Sequence, residues 1–83
     1  MKILYFAWLK SKTGMSEETL EPPESVRDVR ALIGWLRQRS QGHEQALGNA
    51  AILRVAVNQE FASLDQAIRP GDEIAFFPPV TGG

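Results

Sequence analysis

Eighty-three residues allow one compact domain with a modest core and leave no room for a second catalytic domain. Nine Lys and Arg against ten Asp and Glu give a net charge of −1, so electrostatics favour neither nucleic acid nor an anionic membrane as a partner. No cysteine is present, which removes disulfides, thiolate metal sites and a cysteine nucleophile.

In chain order, "KILYFAWL" (2–9) is rich in β-formers and apolar at both parities, as expected of a strand buried on both faces. Its apolar start could be taken for a signal peptide, but it lacks a small-residue cleavage site, and its removal would delete the best strand. The reading is the first element of a cytoplasmic protein, with no run long enough to span a bilayer. "KSKTG" (10–14) is polar and ends in Gly14, so it reads as a hairpin turn leading to a short edge strand, "SEETLE" (16–21). Pro22 and Pro23 then stop the ladder.

Ser25 and Asp28 resemble a capping box, and Val26, Val29, Leu32, Ile33 and Leu36 recur at helical spacing. One amphipathic helix is predicted over 26–40, ending near Gly42. Gly34 inside it weakens the helix by about 1 kcal/mol relative to alanine, which close packing on a sheet would explain. Arg27, Arg30, Arg37 and Arg39 form either a solvated face or a phosphate-binding one. His43, the only histidine, sits in polar "SQGHEQ" and reads as a solvated loop residue. Residues 44–50 suggest a short helical turn. "AILRVAVNQEFAS" (51–63) reads as a strand, a tight turn at Asn58–Gln59 and a return strand. "RPGD" (69–72) has the pattern of a type II turn and leads into the last strand, "EIAFFPP" (73–79).

This order predicts a two-layer α+β domain in which one main helix covers one face of a mixed sheet, with the first and last strands central. The uncovered face then presents Phe77, with Phe6 and Phe61, as an apolar patch for a protein partner, unless loops cover it. Past Glu73 no side chain is ionisable, and the last charge is the α-carboxylate of Gly83. Pro78 and Pro79 stiffen the exit from the sheet. Val80, Thr81, Gly82 and Gly83 extend on the order of 13 Å, at about 3.3 Å per residue. So thin a segment can enter a narrow pocket without burying a charged side chain.

"YFA" in the first strand, "AVNQ" (56–59) and "GDEIAFFPPVTGG" (71–83) resemble the sulfur-carrier (small) subunits of molybdopterin synthase, the MoaD type of the ThiS/MoaD ubiquitin-like superfamily. The resemblance runs nearly the whole chain and implies a single β-grasp domain over 1–83, with 79–83 as a flexible, protruding Gly-Gly tail. It implies that Gly83 is adenylated with ATP by a ubiquitin-activating-enzyme-like adenylyltransferase, then converted to a thiocarboxylate by a sulfur donor system. Docked in the large catalytic subunit, the thiocarboxylate donates sulfur to cyclic pyranopterin monophosphate, building the dithiolene of the molybdenum cofactor. By the same resemblance Gly82, Thr81 and Val80 enter the partner's active site, and Phe6, Phe61, Phe77, Pro78 and Pro79 form the interface. The chain itself holds no metal or cofactor and has no independent turnover. A thiamine-type sulfur carrier and a ubiquitin-like protein modifier share the Gly-Gly ending and remain alternatives.

Overall fold

The computed structural model describes residues 1–79. Strands β1 (Lys2–Tyr5), β2 (Glu17–Thr19), β3 (Arg54–Val57), β4 (Glu60–Ala62) and β5 (Glu73–Phe77) form one sheet in the order β2-β1-β5-β3-β4. β1 and β5 run parallel, and the other pairs are antiparallel. Helices α1 (Trp8–Thr13), α2 (Val29–Arg37) and α3 (Gln41–Leu47) supply the second layer. This is the β-grasp arrangement, with the two most apolar strands paired in the interior as the sequence predicts.

Alternation along the strands decides the two faces. Ile3, Tyr5, Val55, Val57, Ile74 and Phe76 point inward and are buried with Val29, Leu32, Ile33 and Leu36 of α2. The predicted apolar stripe is therefore the core face of α2, while Val26 is only half-buried and precedes the helix. The helix begins later than predicted because Asp28, not Ser25, is its N-cap: the Asp28 carboxylate accepts from the Ala31 amide at 2.8 Å. The residues just before the cap are held out of the helix, since Asp28 bridges Ala67 and the Ile68 amide donates to the Arg27 carbonyl. It also ends earlier, because Ser40 caps a new helix by accepting from the His43 amide at 3.1 Å.

The expected hairpin at 10–14 is instead α1. Gly14 does reverse the chain, but as a left-handed helix cap (φ 80°) whose amide donates to the Lys10 carbonyl. Leu9, buried beneath the polar run, docks the helix on the core. α2 is the longest helix, yet α1 and α3 also contribute buried Leu9, Ala46 and Leu47, so the covering layer is not one helix alone. The β3–β4 turn falls at Asn58 and Gln59 as predicted, both with positive φ (51° and 71°). Asn58 is tied to β5: its amide donates to the Glu73 carbonyl, and its Oδ1 accepts from the Glu73 amide.

His43 is not a solvated loop residue. It lies on α3, only 3% exposed. Glu18 Oε2 accepts from Tyr5 Oη and from His43 Nε2, each at 2.7 Å. A carboxylate only accepts, so Nε2 carries a hydrogen, and Ser40 Oγ lies 2.7 Å from Nδ1. Burial raises the pKa of Glu18, but the hydrogen bonds from His43 and Tyr5 and the fields of His43 and Arg39 outweigh it and hold the carboxyl below its ordinary range. Burial, then the Glu18 bond, drives the Tyr5 phenol far above its ordinary value, which keeps it a donor.

The arginines are mostly engaged on the helical layer: Arg30 with Asp65 at 3.1 Å, Arg37 through two bonds with Glu44, and Arg39 with Glu18 at 3.8 Å. This agrees with a solvated face. The predicted close approach at Gly34 is not observed, since a Cβ there meets nothing within 4 Å. Gly42 is the crowded glycine, where a Cβ would overlap the Lys12 carbonyl and separate α1 from α3.

Two stability outcomes follow from these contacts. Gly34→Ala raises stability by about 1 kcal/mol, from helix propensity in open space, whereas Gly42→Ala lowers it by about 1–3 kcal/mol through overpacking; urea denaturation distinguishes them. Glu18→Gln lowers stability near neutral pH by about 1–3 kcal/mol. Since folding lowers the Glu18 pKa, the unfolded chain binds more protons, and the stabilisation is complete above the ordinary value of 4.5. It is lost as pH falls through the folded value, so the gap between wild type and Glu18→Gln closes in acid.

Candidate functional site

Among the described residues no helix covers the outer face of the sheet. In register, Leu4 pairs with Ala75, Ala56 with Ala75 and Phe61, and Arg54 with Phe77, all on this face. Small Ala56 and Ala75 keep the middle of the face low, so the phenylalanines stand above it. Phe6 and Phe77 stack with ring centroids 4.6 Å apart and planes 10° from parallel. Phe61 leans on Phe77 at 6.3 Å and 57°. Phe61 is 82% exposed and Phe6 42% exposed, so no loop among the described residues covers the patch.

A groove of about 390 Å³ lies beside these rings, lined by Phe6, Ala7, Arg54, Phe61, Phe77, Pro78 and Pro79. All five residues expected at the interface therefore meet in one place, where the chain leaves β5. A larger groove, about 810 Å³, is lined by Met1, Leu20, Pro22 and Pro70 among others. It sits at the opposite end of β5, since Lys2 pairs with Glu73 at that strand's start, and so is remote from the exit. The expected tail residues Val80, Thr81, Gly82 and Gly83 lie outside the described residues. Among the described residues no group of three or more His, Asp or Glu is arranged to hold a metal ion, and no helix is long and apolar enough to cross a membrane.

Two residues of this site went unread in the sequence. Among the described residues Arg54 is the groove's only charged lining residue, and the alternation of "LRVAV" already puts it on the outer face with Ala56. Ala7 bridges β1 directly to α1 with φ 55° and ψ −133°, a conformation that suits glycine rather than alanine. Nothing local in the sequence announces it. Its cause is tertiary: the Phe6 amide donates to the Phe76 carbonyl at 3.1 Å, extending the ladder, while the Phe6 carbonyl already accepts from Leu9 at the start of the helix. Ala7 absorbs the sharp change of direction, and Phe6 is thereby kept on Phe77.

The ThiS family matches residues 3–83. The chain belongs to it. This ThiS-family chain is 37% identical over 83 residues to the molybdopterin synthase sulfur carrier subunit of Haemophilus influenzae, covering 100% of this chain and 99% of that protein. The human protein of the same name is 35% identical over 86 residues, with coverage of 100% and 93%. SAMP1 from Haloferax volcanii has the same fold, with a TM-score of 0.79, 28% identity, and coverage of 100% of this chain and 98% of that one.

In this ThiS-family domain the Ala7 conformation is testable by itself. Ala7→Gly relieves a strain of about 1–3 kcal/mol and raises the thermal midpoint, the reverse of the usual effect of glycine. A lowered midpoint would show that the joint is unstrained.

Proposed function

We propose that this chain is the sulfur-carrier subunit of a molybdopterin synthase. The observation that carries the reading is the full-length match to relatives of that name in bacteria and in humans. The patch of Phe6, Phe61, Phe77, Pro78 and Pro79 supports it, because it offers the large subunit a rigid apolar platform at the root of the tail.

In this proposal the chemistry belongs to the main chain. The Gly83 carboxylate attacks the α-phosphorus of ATP on an adenylyltransferase, forming an acyl adenylate and releasing pyrophosphate. A persulfide of a donor system then attacks the acyl carbon and AMP leaves. A second thiol of that system reduces the resulting acyl disulfide, leaving a thiocarboxylate on Gly83 and a disulfide on the donor. Activation is needed because a carboxylate is a poor electrophile with a poor leaving group, and the mixed anhydride corrects both. The soft thiocarboxylate sulfur is the nucleophile toward cyclic pyranopterin monophosphate in the large subunit. Water then cleaves the acyl–sulfur bond, returning the Gly83 carboxylate and leaving sulfur on the acceptor, and two deliveries build the dithiolene. Val80, Thr81 and Gly82 provide the slender approach, and docking of the platform makes the transfer effectively intramolecular. The chain turns over only within that complex. We place it in the cytoplasm, where ATP for activation is available.

A second reading has one observation in its favour: the structural likeness to SAMP1, a small archaeal modifier protein. In that case Gly83 forms isopeptide bonds with lysines of other proteins.

Mass spectrometry after co-expression with the activating enzyme and sulfur donor decides between them. The expected result is a gain of about 16 Da at Gly83, sulfur replacing oxygen, and loss of sulfur transfer on deletion of Gly83 with an unchanged melting curve. Gly83 attached to many lysines, with no thiocarboxylate, would establish the modifier reading instead.

A further inference from the structure

We infer that the large subunit presents a carboxylate to Arg54, and that this ion pair selects the partner to which the aromatic platform docks. The inference rests on the function proposed above and names the chemistry of its partner surface.

Arg54 is exposed on the outer face, opposite Phe77 in register, and lines the groove with Phe6, Phe61, Pro78 and Pro79. Among the described residues, every other one lining that groove is uncharged. Arg30, Arg37 and Arg39 each have a carboxylate within salt-bridge distance, whereas among the described residues Arg54 has none. Its guanidinium stands at the exposed surface beside the rings.

Docking changes that. A partner that covers Phe6, Phe61 and Phe77 closely enough to bury them also strips water from the guanidinium beside them. A buried, unpaired charge costs several kcal/mol, enough to cancel much of the gain from the rings. A carboxylate offset by the width of one side chain restores the balance, because the planar guanidinium donates two parallel hydrogen bonds to it. A partner with an apolar or basic residue at that point is rejected even where its apolar surface fits. The rings thus supply area, and Arg54 supplies discrimination.

The test is calorimetric titration of the full chain into the molybdopterin synthase large subunit encoded in the same genome, at low and at high salt. Arg54→Glu is expected to raise Kd by about tenfold or more at low salt. Arg54→Met is expected to raise it less and to flatten its dependence on salt, because the screened pair is gone. Phe77→Ala serves as the contrast, weakening binding alike at both salts. Because Arg54 is exposed, its variants are expected to melt like the wild type. A rise in Kd above about threefold for Arg54→Glu, together with a flattened salt dependence for Arg54→Met, supports the ion pair; failure of either overturns it. If the wild-type chain does not bind the large subunit, the proposed function falls and this inference falls with it. Wild-type binding with Arg54→Glu unaffected overturns the role of Arg54 alone.

Discussion

The parallel pairing of β1 with β5 is the constraint on which the other features depend. Lys2 lies beside Glu73 and Tyr5 beside Phe76, so nearly the first and last segments of the described chain are neighbours in the middle of the sheet. Parallel neighbours need a long connection, and the three helices and the β3–β4 hairpin are contained within it. Since side chains alternate, this one register sends Tyr5 and Phe76 into the core and Phe6 and Phe77 outward. A slip of one residue would bury the platform and expose the core. The stacking of Phe6 on Phe77 is thus a consequence of backbone pairing, and the strain at Ala7 is its local counterpart.

The inner side of the same pairing is completed by a polar cluster. Tyr5 stacks against Phe76 and meets the His43 ring edge-on, and its hydroxyl reaches Glu18 on the edge strand β2. Glu18 also reaches His43 on α3 and Arg39 just beyond α2. A small domain has little apolar area with which to hold an edge strand and a short helix. Here three hydrogen-bonded side chains join them, and no buried side-chain nitrogen or oxygen among the described residues is left without a partner. Such a network fixes the relative placement of elements that packing alone would leave loosely specified.

On the proposed function, the domain separates recognition from reaction. The described residues present a shaped apolar surface with one charge at its rim, and no cluster of side chains arranged for metal chemistry. On the proposed function, the reacting atom belongs to the terminal residue, while activation and the acceptor's catalytic groups come from other chains. A carrier that must visit more than one partner benefits from this division, because its platform can be matched to each without altering its own reactive group.

Local patterns were legible directly. Runs of apolar β-formers placed the strands, although β1 is not buried on both faces as expected, since Leu4 is only half-buried. The spacing of Val29, Leu32, Ile33 and Leu36 marked the core face of α2, and Asn58–Gln59 and Arg69–Asp72 marked turns, because each depends on residues a few positions apart. The uncovered face of the sheet and the family resemblance together pointed to Phe6, Phe61, Phe77, Pro78 and Pro79, which the groove brings together. The helix at 8–13, the burial of His43, the crowding at Gly42 and the strain at Ala7 were not legible. Each depends on a segment remote in sequence: α3 against α1, Glu18 against His43, Lys12 against Gly42, Phe76 against Phe6. The sequence by itself determined the elements that periodicity can express and the apolar, charge-free character of the last ten residues. Only the tertiary structure decided which polar residues are buried and which phenylalanines stand together, because those outcomes depend on distances between segments that no local pattern encodes.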